Sequence, residues 1–400
     1  MDRKMPMRLK LRIKALFAVL VVLTFLLSAC GTQGMESKQG RKIQKRCKEI
    51  VSMYRDLYDA APKQEPENQW DEQTLPQESI DEIENRLLDN GLDILDSSEE
   101  CPDYFVNAER FHQFWDAVQN NRNASQEIIG IRSSGALSYR LLTHRDGTTY
   151  AYSLIYSLDG EEDPDYEVHQ VYGAELTEQE NFYYRINQED DCHYANYALI
   201  RLKKPDPELW DLYSKYILAG GYSATNIFLT DWTEEDFTKL CFNDLWEYLY
   251  RYQNGTQFWP DGCAYDEDRG CYLIPAEKFE SAVLPFFRLD VQTLRQLAQY
   301  DAQTDTYPWH QVDSNDYAFY LSYYTIEPEV IACRTNADGT LLLTVQALST
   351  DLGIDCLFSH EVTVRPMEEG GFRFVGNKML SQTERGLPFC EPRLTWEKAG

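Results

Sequence analysis

The side chains of this 400-residue chain that could do chemistry are its cysteines, histidines and carboxylates, and their spacing limits the chemistry open to them. Two acidic clusters could hold a hard cation such as Ca²⁺, which takes several oxygen ligands. One is Glu189-Asp190-Asp191 beside His193. The other gathers Asp261, Asp266, Glu267 and Asp268 at the Cys263–Cys271 loop. Its Asp266-Glu-Asp268-Arg-Gly270 matches the opening of a calcium loop but lacks the third acidic position and the closing Glu. Among 66 Asp and Glu such clusters arise freely, so Asp261, Asp266 and Asp268 stand as metal candidates only, and no cofactor is implied. The six histidines form no HExxH and no facing pair on a helix. His112, between Phe111 and Phe114, reads as a helix-face residue, and His360 as a structural residue of a strand. Gly-x-Ser-x-Gly elbows, phosphate-binding glycine loops and kinase signatures are missing. Cys192-His193 adjacency is no protease dyad, because that chemistry needs spatial proximity and a third orienting group. No catalytic residue is assigned, and the balance leans against an enzyme.

Of the ten cysteines, Cys30 has the most telling surroundings. Six Lys/Arg and one Asp precede or flank the uncharged run Ala15 to Leu27, followed by Leu27-Ser28-Ala29-Cys30-Gly31. The run is too short for a comfortable membrane span of about 20 residues and fits the apolar core of a signal peptide. Small residues before a cysteine at that place resemble a lipobox, which implies cleavage of residues 1–29 and diacylation of Cys30. Two acyl chains anchor stably where one does not. The protein is thus expected on the outer face of the cell membrane, attached by lipid. Nine cysteines remain, an odd number, so at least one stays free or pairs between molecules. Disulfide candidates are Cys263 with Cys271, flanking a polar loop, and Cys333 with Cys356, at neighbouring strand ends. CxxC pairs are missing, which gives zinc ribbons and thioredoxin chemistry no support.

The elements that must position these residues follow from periodicity. Lys38 to Tyr58 reads as an amphipathic helix with Ile43, Cys47, Ile50, Val51, Tyr54 and Leu57 on one face. Its other face carries Arg41, Lys42, Lys45, Arg46 and Lys48, either solvated or drawn to anionic lipid by roughly 1 kcal/mol per charge. Ala60 to Pro76 reads as a Pro-rich linker. A capping box Ser79-Ile-Asp-Glu82 predicts a helix start, and Tyr104 to Val118 a second helix. Ala136 to Thr143 and Thr149 to Tyr156 flank Arg145-Asp-Gly147, a hairpin signal. Further strands are expected at Tyr166 to Ala174, Phe182 to Ile186 and Tyr197 to Leu202. Helices are expected at Glu208 to Leu218, Asp244 to Tyr252, around Phe279 between Pro275 and Pro285, and at Val291 to Ala298. The C-terminal part turns to β, with hairpins through Asn336-Ala-Asp-Gly339 and Glu368-Glu-Gly-Gly371.

The expected class is α+β: an antiparallel meander with flanking helices, then a helix-plus-antiparallel-sheet part of NTF2-like or cystatin-like kind. That analogy carries no function. The expected divisions are 1–29 signal peptide, 30–77 tether, 78–255 first domain and 256–400 second domain.

Composition bounds the partners. The net charge is −28, and removal of residues 1–30 makes it −33. Such a polyanion is repelled by nucleic acid and by anionic surfaces. With 27 Tyr, 18 Phe and 8 Trp the chain can fill a sizeable core, which argues against disorder.

Several segments resemble one family together. They are Leu199-Ile-Arg-Leu202, Tyr216-Ile217, Phe228-Leu229 with Asp231-Trp232, and Cys241-Phe-Asn-Asp-Leu-Trp-Glu-Tyr-Leu-Tyr250. Ile274-Pro-Ala276, Phe279-Glu280, Leu284-Pro285, Tyr300-Asp301, Thr306-Tyr-Pro-Trp309 and Phe374-Val-Gly-Asn377 complete the set. The family is one of lipid-anchored proteins of Gram-positive bacteria known only as a domain of unknown function. The resemblance implies that residues 79–389 travel as one unit, and it brings no activity, cofactor or catalytic residue. The leading functional expectation is a non-enzymatic, surface-tethered protein that binds or scaffolds an envelope ligand or protein. A solute- or glycan-binding lipoprotein of a transporter and a cell-wall-acting enzyme on an unfamiliar fold are the alternatives.

Overall fold

The computed structural model describes residues 38–64, 73–97, 102–158, 166–186, 197–222, 224–310, 326–368, 370–384, 386–387 and 392–394. Cys30, Cys101, Cys192, Cys390 and the cluster Glu189-Asp190-Asp191 with His193 lie outside them. The class is α+β with several antiparallel sheets, as expected. The chain forms two compact units that part at Gly173/Ala174, with residues 100–102 grouped with the second.

The first unit builds a four-stranded meander from β3 (Ala124–Ile131), β4 (Leu137–Arg145), β5 (Thr148–Tyr156) and β6 (Tyr166–Gln170). Asp146 and Gly147, at φ 51° and 78°, make the β4–β5 turn, the left-handed pair that a two-residue hairpin requires. In-register Ile129, Tyr139, Leu154 and Tyr166 line one face of the sheet. That face is covered by helix α1 (Lys38–Ala60), through Ile43, Cys47, Ile50 and Tyr54, and by α2 (Gln77–Asp89), through Ile80, Ile83 and Leu87. Strand alternation puts Ile128, Leu142 and Ala151 on the opposite face, and α3 (Ala108–Gln119) packs against β3 with Phe111 and Phe114 buried.

Three expectations are corrected here. Helix α1 is no tether: its apolar stripe is core, and Arg46 of its basic face donates to Glu127 at 2.9 and 3.0 Å. Helix α2 starts at Gln77 behind Pro76, so Ser79 sits in its first turn and caps nothing. Tyr104 and Phe105 form β2, paired with β1 (Leu95–Asp96), and α3 begins only at Ala108.

The second unit centres on a five-stranded antiparallel sheet in the order β10-β17-β16-β15-β14. Its members are β10 (Trp232–Thr233), β14 (Glu327–Thr335), β15 (Leu341–Ser349), β16 (Ile354–Pro366) and β17 (Phe372–Gln382). Leu343, Val345, Val362, Val364 and Phe374 project from one face into an aromatic core. Helices α5 (Phe242–Asn254), α6 (Ala276–Val283) and α7 (Val291–Leu297) supply Trp246, Phe279 and Leu294 to that core. A second sheet runs β11 (Ala264–Asp266), β12 (Cys271–Pro275) and β13 (Thr306–Trp309). A third holds β7 (Gly173–Leu176), β8 (Asn181–Arg185) and β9 (Tyr197–Arg201). Between them, α4 (Pro207–Leu212) runs into a π-turn, Tyr213–Ile217. The expected boundary at residue 255 is therefore wrong. The chain from Ala174 on falls in one unit with the C-terminal sheet, sharing its core through side chains from Leu209 to Tyr252, and the expected strand 166–174 is broken into β6 and β7.

Candidate functional site

In the second unit, a groove of about 740 Å³ lies beside β14, the edge strand of the five-stranded sheet. This is within the size range of small-ligand sites, roughly 300–1,000 Å³. Its floor is set by Arg201 at the end of β9. The guanidinium is 13% exposed and bonds Glu327 at 2.8 Å and Glu329 at 3.1 Å on β14. Burial pulls the Arg201 pKa down, but Glu329 and Glu327 more than reverse that, so it stays charged and fixes the strand beside it. Glu327 also accepts from Thr350. Asn181 and Tyr183 of β8 donate to Asp355 at 2.7 and 2.9 Å, which holds the small sheet against β16.

The wall opposite comes from the segment after β9, Leu202-Lys-Lys-Pro-Asp-Pro207. Pro207 begins α4, and Asp206 caps it by accepting from the Glu208 N–H at 2.9 Å. The prolines hold the segment extended and leave Lys203 and Lys204 exposed on the groove. One turn on, the Trp210 ring stacks on Tyr213, centroids 4.5 Å apart. Gln179, Asn181 and Gln346 add amides, with Gln179 donating to Gln346 at 3.4 Å. The groove thus offers an aromatic face, neutral hydrogen-bonding groups and the cationic Lys203 and Lys204, over a floor where Arg201 meets two glutamates. None of its residues was singled out from the sequence except within motifs read as scaffold. The signal was there in Lys203-Lys204-Pro-Asp-Pro, the one basic pair on a Pro-stiffened segment.

Two buried polar clusters elsewhere in this unit are engaged in structure. His360 takes a hydrogen bond from Tyr222 at Nε2 (2.6 Å), while its Nδ1 lies 2.6 Å from the Asn377 carbonyl oxygen. That pairing assigns the proton to Nδ1, and burial pushes the ring pKa down to about 4, so it is neutral. The structural role expected for His360 fits this. Arg393 is only 2% exposed and binds Asp244 at 3.0 Å and Glu247 at 3.2 Å, and it donates to the carbonyl of His310. Glu247 also accepts from Trp309, and burial raises its pKa.

The sequence-drawn site residues fare differently. Among the described residues no three of His, Cys, Asp and Glu gather to hold a metal. Asp266 turns its carboxylate onto the N–H groups of Asp268 and Arg269, both at 3.1 Å, and onto the Arg269 side chain. It closes its own loop. The two cysteine pairings do not form: Cys263, Cys271, Cys333 and Cys356 are free thiols. Cys271 is opposite Asp266, three residues from Cys263, so the strand register holds the two too far apart for a bridge. Cys333 faces Leu343 on β15, which faces Val362 on β16, six residues from Cys356 and two strands away.

Among the described residues no helix is long and apolar enough to cross a membrane. No curated protein and no solved structure matches the chain. A family covers residues 40–393, wider than the 79–389 drawn from motifs and taking in α1 from its third residue on, in line with the place of that helix in the first core. The chain belongs to this family, DUF6070, a family of unknown function.

Proposed function

We propose that this protein is a non-enzymatic binding or scaffolding protein of the bacterial envelope, tethered through lipid on Cys30 to the outer face of the membrane. The groove beside β14 is the place where it holds a ligand. The observation that carries the binding reading is the makeup of that groove: the ring of Trp210, which stacks on Tyr213, the amides of Gln179, Asn181 and Gln346, and Lys203 with Lys204. Convergent polar groups around an aromatic face are what a polar organic ligand needs for orientation and contact. Lys203 and Lys204 give a carboxylate or similar group of the ligand its partners, and the groove's own Glu178, Asp206 and Glu329 accept from its hydroxyl or amide donors. The tether reading rests on the basic, apolar and small-residue succession that ends at Cys30.

A thermal-shift screen of residues 31–400 against wall peptides and acidic sugars tests the groove. A ligand at about 100 times its Kd adds roughly 2.7 kcal/mol of stability. The expected result is a shift that Trp210→Ala and Lys203→Glu abolish. A shift untouched by both substitutions would place the ligand elsewhere.

A further inference from the structure

The sheet β11-β12-β13 carries a row of aromatic rings across its three strands. Tyr265 on β11 is in register with Tyr272 on β12, and Tyr272 with Trp309 on β13. Register partners emerge on the same face, and the ring centroids follow at 5.0 and 6.0 Å. The row is graded from core to water. Trp309 is buried against Trp246 and Phe258, Tyr272 is half-buried, and Tyr265 is 48% exposed.

Another exposed ring comes just before β11 in the chain. After α5 the chain drives Phe258 into the core, 4.8 Å from Trp246, and leaves its neighbour Trp259 64% exposed. Trp259 is the most exposed large apolar side chain among the described residues. Pro260 restricts the Trp259 backbone to extended conformations. The Cys263 N–H donates to the Pro260 carbonyl at 3.0 Å, so the chain turns back directly into β11. Trp259 and Tyr265 therefore sit on the two arms of one short turn, the first next in sequence to the buried Phe258 and the second edge-on to the half-buried Tyr272. Aromatic rings, with only two side-chain torsions each, offer flat apolar area at little cost in side-chain entropy.

Charge decides the occupant. Asp261, Glu267 and Asp268 are exposed on the same two loops, and Arg269 is paired with Asp266 at 3.3 Å. Carboxylates there repel anionic headgroups, nucleic acid and anionic wall polymers. They accept hydrogen bonds from hydroxyl groups. A sugar ring combines an apolar C–H face, which packs on an aromatic plane, with a rim of hydroxyl donors. We propose that Trp259 and Tyr265 form a stacking platform for an uncharged polysaccharide chain, with Asp261, Glu267 and Asp268 accepting from its hydroxyls. The platform shares no residue with the groove beside β14.

Tryptophan fluorescence and affinity electrophoresis of the full chain, with N-acetylglucosamine hexasaccharide and a linear β-glucan as probes, test this. The expected result is binding to at least one probe, weakened about tenfold by Trp259→Ala and less by Tyr265→Ala. Trp210→Ala should leave that binding unchanged, so failure of the groove and failure of the platform are separable. Thermal melting of each variant checks that the fold persists. Failure of both probes to bind overturns the proposal, as does binding that Trp259→Ala leaves intact. Uptake onto phosphatidylcholine vesicles that Trp259→Ala abolishes would also overturn it, by making the rings a lipid contact.

Discussion

At the scale of single residues, two buried titratable groups give the two units opposite responses to pH. Glu84, on α2 in the first unit, is 5% exposed and accepts from the Ser97 hydroxyl at 2.7 Å. Burial outweighs that bond and pushes its carboxyl from the ordinary 4.5 up to about 7. A raised pKa means stability fully present below 4.5 and lost as pH rises through about 7, at a cost of roughly 3 kcal/mol. His360 in the second unit runs the other way. Its stability is present above the ordinary 6.5 and lost as pH falls through about 4. Hydrogen exchange across this range should show β3–β5 loosening toward alkali and β15–β17 toward acid. Glu84→Gln should flatten only the first response. An unchanged response in that variant would mean Glu84 titrates as an ordinary carboxylate. From the sequence His360 was legible as structural because it sits in an alternating strand. Glu84 was not, because its partner Ser97 lies across a helix end and a turn that sequence spacing does not connect. The cysteine pairings failed for a related reason: nearness in sequence says nothing of register, and a three-residue offset suffices to forbid a bridge.

At the scale of elements, periodicity found most helices and both long C-terminal hairpins, because amphipathic stripes and Gly-bearing turns are local signals. It could not say what a stripe packs against. Helix α1 looked like a tether because its basic face and nearness to Cys30 suggested a membrane. Yet Ile43, Cys47, Ile50 and Tyr54 meet Ile83 and Leu87 of α2 in one core. Burial pushes the Cys47 thiol up to about 12, as an inert core residue requires. Ile50→Ala should therefore destabilise the first unit by about 2–5 kcal/mol in urea unfolding. A change below about 0.5 kcal/mol would return α1 to the role of a tether. The groove was illegible as a whole because it joins β9, α4 and β14, with Arg201 and Glu329 separated by 128 residues. Only its Pro-flanked lysine pair and Trp210 left a local trace.

At the scale of the whole molecule, an acidic body of net charge −33 beyond residue 30 makes nucleic acid a poor partner. The two compact units part without a linker: β6 ends at Gln170 and β7 begins at Gly173, so composition gave no hint of the division. Both candidate surfaces, the groove and the aromatic platform, belong to the second unit. Holding them among insoluble or wall-bound ligands is the work proposed for the lipid on Cys30. Growth of cells with labelled palmitate measures this most directly. The account predicts label in the wild-type chain, none in Cys30→Ala, and release of the variant from the membrane fraction. Unlabelled wild-type protein, with fractionation indifferent to Cys30→Ala, would contradict it.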